Sequence, residues 1–285
     1  MVESIRLDGG RALAYEAWGP IDGSPVLGFL GTPLSILADL GEAPEAVGVR
    51  LVLVDRPGYG ASDFQPGRTL LDWPRDVAQL ADTLGIGRFA VFGMSGGGPH
   101  AAACGYALPD RVTAVGLVSS PGPVWDRREL RYSLPPHRQP LVELAAQDRE
   151  AAAAKLLEDC RRDLERTARG EEEGDASVDP ALRERLRAAA LAATPEGYAH
   201  DLLLLFVSPW GFSPEEIVVP TLISHGDRDP AVPFAVAEFF AHTIRRSSLT
   251  VYPGEGHMIL WSHAAEILAG LAESRETFGE CRGGI

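Results

Sequence analysis

The stretch Phe89-Ala90-Val91-Phe92-Gly93-Met94-Ser95-Gly96-Gly97-Gly98-Pro99-His100 decides how the rest of this 285-residue chain is read. Its first four residues form a short continuous apolar run, which suits a strand buried on both faces of a sheet. Pro99 to Ala107 reads as a helix, so Gly93-Met94-Ser95-Gly96-Gly97 falls on the turn between strand and helix. The Gly-x-Ser-x-Gly pattern arises by chance in roughly one chain in six of this composition, so its weight comes from that placement. A sharp strand-to-helix turn holds its serine in a strained backbone conformation, and the flanking glycines remove side chains that would clash there. Ser95 is then exposed above the sheet as a candidate nucleophile. The Gly96 amide, at the N-terminus of the following helix, can point at a developing oxyanion.

Similar apolar runs, each bounded by Gly, Pro or Asp, recur at Val26 to Leu30, Leu51 to Val54 and Ala114 to Val118, with a helical segment at Leu70 to Leu84. Strand and helix alternate as parallel βαβ units require. Before them, Ser4 to Leu7 and Ala12 to Ala17 flank Asp8-Gly9-Gly10-Arg11, which reads as a β-hairpin. From about Pro123 to Gly211 the chain turns rich in Ala, Leu, Arg and Glu with no convincing strand. There Gln147 to Arg169 is expected as one long helix, Glu171 to Asp175 as a solvated loop and Pro180 to Ala193 as a further helix. The strand pattern returns at Thr221 to Ser224 and Ser248 to Tyr252, with Phe234 to Thr243 helical between them and another helix from Ala264 onward. The expected fold class is α/β, a mostly parallel sheet with helices on both faces. Residues 1–122 and 212–285 would form the core, and 123–211 an inserted all-helical cap.

A serine hydroxyl is a poor nucleophile at neutral pH and needs a base within hydrogen-bond reach, oriented by an acid. Two further loops follow predicted strands and supply both. His225-Gly226-Asp227-Arg228-Asp229-Pro230-Ala231-Val232-Pro233 follows Thr221 to Ser224, and Gly254-Glu255-Gly256-His257-Met258 follows Ser248 to Tyr252. In open α/β sheets the C-terminal strand edge is where ligands bind, so these loops converge with Ser95 on one rim. His257 is the candidate base, since Gly254 and Gly256 let its loop reach that rim. The first loop offers Asp227 and Asp229 as acids. His100, His137, His200, His242 and His263 read as structural.

With these motifs in the order serine, acid, histidine, the chain resembles the α/β-hydrolase superfamily, a serine-nucleophile member with a helical cap, over nearly its whole length. Asp55-Arg56-Pro57-Gly58-Tyr59-Gly60-Ala61-Ser62 is similar to the family's turn after an early strand, and Gly226 to Pro233 to its acid loop. That match implies Asp229 as the acid, with Asp227 the fallback. It also implies an oxyanion donor in Gly31-Thr32-Pro33, the Thr32 amide, to act beside that of Gly96. Leu30 stands where many relatives have histidine; a backbone donor survives the change, and the loop either packs differently or borders a more apolar pocket. Pro33 resembles the corresponding proline of cofactor-independent haloperoxidase and perhydrolase relatives, and is equally common in plain esterases.

The activity so implied is hydrolysis of a small ester or related acyl compound through an acyl-enzyme, with no cofactor and no metal. A carbon–carbon bond hydrolase or an acyltransferase would use the same triad, and a ligand-binding receptor on the same fold is the reading from another class. A serine at the nucleophile position argues against haloalkane dehalogenases and epoxide hydrolases, whose relatives place aspartate there.

Composition narrows the partners. A net charge of −14 and a pI near 4.9 oppose a polyanion-binding surface, so no nucleic-acid partner is expected. Cys104, Cys160 and Cys281 are too few and scattered for a disulfide framework or a metal site. The start of the chain carries Glu3, Arg6 and Asp8 before any apolar run, so a cytoplasmic protein without membrane contact is expected, whose partner is a small-molecule acyl substrate. Arg56 with Asp55 reads as a structural ion pair or turn support. Arg161, Arg162, Arg166, Arg183, Arg185 and Arg187 read as the solvated face of the cap, and Trp125 and Trp210 as packing at its ends.

Overall fold

Hydrogen bonding in the computed structural model, which describes residues 1–131, 134, 138–171 and 178–277, joins eight strands into one sheet. They are β1 (Glu3–Arg6), β2 (Ala12–Trp18), β3 (Ser24–Phe29), β4 (Val49–Val54), β5 (Phe89–Met94), β6 (Val112–Val118), β7 (Thr221–Gly226) and β8 (Ser247–Tyr252), in the order β1-β2-β4-β3-β5-β6-β7-β8. The hairpin is antiparallel with Arg6 opposite Ala12, and β2 runs antiparallel to β4. Every other pairing is parallel. Strands β5 and β6 are buried at every position because the sheet is covered on both sides, which is why they read as unbroken apolar runs.

Successive side chains on a strand point to opposite faces, and the two cores follow that period. Leu27, Phe29 and Val91 pack on one face with α1 (Trp73–Thr83) and α2 (Gly98–Ala107). Val26, Ala90 and Phe92 pack on the other, where Leu268 and Leu271 of the C-terminal helix Ala264–Thr277 close the layer.

Between β6 and β7 the chain forms α3 (Gln139–Gln147), α4 (Arg149–Arg169), α5 (Pro180–Leu191) and α6 (Pro195–Phe206). The long helix expected over Gln147 to Arg169 is present but starts two residues later, at Arg149. Asp148 is extended, at φ −148° and ψ 99°, and its carboxylate accepts the Ala151 amide at 2.9 Å, so Gln147 closes α3 and Asp148 caps α4. A side chain that satisfies an orphan helix N–H stabilises a boundary by about 1 kcal/mol, enough to divide two runs of good helix formers. Helix α4 ends at Gly170, whose φ of 69° suits glycine at a C-terminal cap. Asp179 and Thr194 cap α5 and α6 in the same way as Asp148. Trp210 is buried at the return to the core, against Phe212 and Phe240. His137, Cys281 and most of the acidic loop, 172–175, lie outside the described residues. No described helix is long and apolar enough to cross a membrane.

Candidate active site

Ser95 sits where β5 passes into a single 3₁₀ turn, Ser95–Gly97, that continues as α2. Its φ of 49° lies in the left-handed region, which a residue with a Cβ adopts only when the surroundings force it. The crowding that forces it is visible at Gly93, where a Cβ would stand 2.1 Å from the Gly97 carbonyl oxygen. The turn is too tight for any larger residue there, and it lifts Ser95 out of the sheet.

His257 and Asp229 meet on the loops after β8 and β7. His257 Nδ1 donates to Asp229 Oδ2 at 2.7 Å, which leaves Nε2 as the nitrogen free for proton transfer. Asp229 Oδ1 accepts the Ala231 and Val232 amides at 2.8 and 2.9 Å, and the side chain is fully buried. Burial works to raise its pKa, but His257 and those two amides outweigh burial and hold the carboxyl below its ordinary value. Asp227 does something else: its Oδ1 accepts the Gly254 amide at 2.6 Å and, with the Arg228 amide donating to the Glu255 carbonyl, ties the acid loop to the histidine loop. His225 is buried behind the acid, with Nε2 donating to the Val232 carbonyl at 2.9 Å; burial lowers its pKa, so it is a neutral brace.

Thr32 and Gly96 lie against each other. A Cβ at Gly96 would stand 2.2 Å from Thr32 Oγ1 and 3.1 Å from the Thr32 nitrogen, so only glycine lets the two backbones approach this closely. The Gly96 amide belongs to the first turn before α2, where N–H groups have no partner within the helix. Thr32, Ser95 and His257 line one cavity of about 790 Å³, together with Leu164, Leu186 and Tyr198 from the helices between β6 and β7. Among the described residues no cluster of His, Cys, Asp and Glu could hold a metal ion.

The comparison with known families fits this arrangement: the family described as the alpha/beta hydrolase fold matches residues 28–264. The chain belongs to the α/β-hydrolase fold family. It is 28% identical over 268 residues to a non-heme chloroperoxidase of Streptomyces lividans, spanning 91% of this chain and 94% of that one. It is 28% identical over 231 residues to a 2-hydroxy-6-oxononadienedioate/2-hydroxy-6-oxononatrienedioate hydrolase of Burkholderia vietnamiensis, 76% of this chain and 73% of the relative. An esterase from Exiguobacterium antarcticum shares the fold, with a TM-score of 0.72 at 21% identity over 97% of this chain and 100% of that one.

Beneath the site of this α/β hydrolase lies a buried ionic cluster that the sequence did not reveal. Arg56 does not take Asp55 as its hydrogen-bonding partner. The two are successive residues at the end of β4 and diverge, Asp55 accepting the Ile36 amide at 2.8 Å while Arg56 Nε donates to Asp201 of α6 at 2.8 Å. Arg68 Nη2 and the Tyr59 hydroxyl also donate to Asp201. Burial works against ionising Asp201, yet Arg56 and Arg68 hold its carboxyl far below the ordinary range.

His100, read as structural, donates from Nδ1 to the Gly96 carbonyl at 2.9 Å, and burial pushes its imidazole down to about 3. The cap arginines divide as well. Arg161, Arg162 and Arg185 pair at the surface with Glu196, Asp159 and Asp39, but Arg166, Arg183 and Arg187 line the cavity. Arg187 reaches it because its guanidinium caps the last carbonyls of α4, Thr167 and Ala168.

Proposed function

We propose that the chain is a serine hydrolase that cleaves small esters or related acyl compounds through an acyl-enzyme. One observation carries this reading: Ser95 is held at a left-handed φ of 49° on the cavity that also contains His257, whose Nδ1 is anchored on buried Asp229. Ser95 Oγ attacks the acyl carbon while its proton passes to His257 Nε2, and the resulting imidazolium is stabilised by Asp229. The Thr32 and Gly96 amides stabilise the oxyanion, a contribution of about 10²- to 10³-fold in rate per donor in such sites. His257 then protonates the departing alcohol. Water, deprotonated by the same imidazole, attacks the acyl-enzyme and releases the acid and free Ser95.

A cavity of about 790 Å³ walled by Leu34, Met94, Leu164, Leu186 and Met258, with Tyr198 and three arginines among its polar groups, suits compact acyl compounds with both apolar and polar parts. Similarity to the Burkholderia vietnamiensis hydrolase favours carbon–carbon bond cleavage as the second reading on the same triad.

The test is intact-mass analysis after treatment with a fluorophosphonate, with peptide mapping of the adduct. A single adduct on Ser95, lost in His257→Ala, is expected. Folded protein that forms no adduct and binds small acyl ligands without turnover would instead be a receptor, and the hydrolase reading would fall.

A further inference from the structure

We infer that Asp201, on cap helix α6, is a positioning residue that sets the Thr32 oxyanion amide by way of Arg56 and the Thr32 hydroxyl; this rests on the serine-hydrolase reading above.

The hydrogen bonds around Thr32 form a closed set. Arg56 Nη1 donates to the Leu30 carbonyl and Nη2 to Thr32 Oγ1 at 3.0 Å, so one guanidinium grips the loop on both sides of the Gly31–Thr32 peptide, whose N–H is the proposed donor. The Thr32 hydroxyl in turn donates to Asp201 Oδ2 at 3.1 Å, and Arg56 Nε donates to the same oxygen at 2.8 Å. Asp201 therefore fixes the guanidinium and the hydroxyl together. A planar fork whose three nitrogens all have partners has no freedom left to swing, and neither has the peptide it holds.

The second donor packs on the same side chain. Gly96 stands against Thr32, and its carbonyl accepts from His100 Nδ1 at 2.9 Å. Both proposed oxyanion residues thus rest on the Thr32 side chain, which Arg56 and the Asp201 carboxylate hold. Arg56, Arg68 and Asp201 are buried, where an ion pair brings a desolvation cost that apolar packing would avoid. Holding two backbone donors at fixed positions is a task that apolar packing performs poorly, because catalytic donors must be aimed to within a few tenths of an ångström.

The experiment compares wild type with Asp201→Asn, Thr32→Val, Thr32→Ser and Arg68→Lys, using p-nitrophenyl butyrate as substrate. Fluorophosphonate titration counts competent Ser95 in each preparation, and an alkyl boronic acid reports affinity for a tetrahedral adduct. Asp201→Asn is expected to lower kcat about 10²-fold per competent site, as for a lost oxyanion donor, with KM changed less than about threefold. Boronate affinity should weaken in proportion to kcat/KM.

Thr32→Val, which leaves the ion pairs in place, should lose a similar factor and so covers the case in which Asp201→Asn does not fold. Thr32→Ser should recover most of that loss, and adding Asp201→Asn to Thr32→Val should cost little more. Arg68→Lys weakens the hydrogen bonding to the other oxygen of the same carboxylate, Oδ1, without touching Thr32; it should lower the melting temperature and keep kcat within about threefold, which separates positioning from support. Wild-type kcat and boronate affinity in Asp201→Asn or Thr32→Val, with normal Ser95 titration, would overturn this inference alone. Wild-type protein with no Ser95 adduct would overturn it together with the hydrolase reading.

Discussion

Replacing Ser95 with glycine is expected to abolish turnover and, at the same time, to make the protein more stable. The φ of 49° places a residue with a Cβ in the left-handed region, which costs about 1–2 kcal/mol relative to an ordinary helix or strand conformation. Glycine removes that cost but loses more backbone freedom on folding, by about 0.5–1 kcal/mol. The balance is a gain of roughly 0.5–1 kcal/mol, and at this chain length 1 kcal/mol corresponds to an increase in Tm of about 2 °C. Ser95→Ala is the control, since it removes the same hydroxyl and keeps the Cβ in the strained position. Its Tm should match wild type within about 1 °C, since the backbone strain is unchanged. Scanning calorimetry of the three proteins, run beside p-nitrophenyl butyrate turnover, reads both effects. If Ser95→Gly were no more stable than Ser95→Ala, the elbow would not be strained and the physical basis for assigning the nucleophile would fail. If Ser95→Ala kept wild-type turnover, the assignment itself would fail.

Two further outcomes follow from the buried carboxylates. Asp229→Asn keeps an oxygen for the Ala231 and Val232 amides but presents an NH₂ group to His257 Nδ1, which reverses the imidazole tautomer and puts the proton on the nitrogen that must accept one from Ser95. A fall in kcat of about 10⁴-fold with little change in Tm is expected, and a loss under tenfold would remove Asp229 from the mechanism. Asp55 titrates oppositely to Asp229: burial raises its pKa from 3.8 to about 6, against the pull of the Ile36 amide, Arg56 and the Ala61 amide. The folded protein then holds this proton more tightly than the unfolded chain does, so the stabilisation is full below about pH 4 and is lost as pH rises through about 6. Asp55→Asn should therefore gain stability relative to wild type between those values in urea titrations. A difference that stays flat across the window would show that Asp55 ionises as freely as in the unfolded chain.

The parts of this molecule that were legible in its sequence are those fixed by short-range chemistry. The turn that holds Ser95 could be read because an apolar run, two glycines and a helix within about a dozen residues leave one way for the chain to turn, and the two loops that bring Asp229 and His257 together because each follows a strand-like run, whereas the choice of Asp229 over Asp227 came from the family resemblance. The sheet was legible for the same reason, since a strand covered on both faces has to be apolar throughout. The break before α4 was partly legible: Asp148 is a good cap, but Gln147 and the alanines beyond it conceal the stop.

The Asp201 cluster was not legible, because its arginine partners are 133 and 145 positions away in the chain, and they meet only in the folded chain. Its one local sign is an acid directly before the run Leu202 to Leu205, on a helix that needs an apolar face. A lone charge in such a place has to find an opposite charge or remain protonated. Arg56 reads as a structural ion pair with Asp55 or as turn support, yet it is the buried link between Asp201 and Thr32. Leu30 has no side-chain group to donate at the position where the family resemblance implies a histidine in many relatives, and in the proposed arrangement the loop is gripped instead by the guanidinium of Arg56, from the turn after β4, held by Asp201.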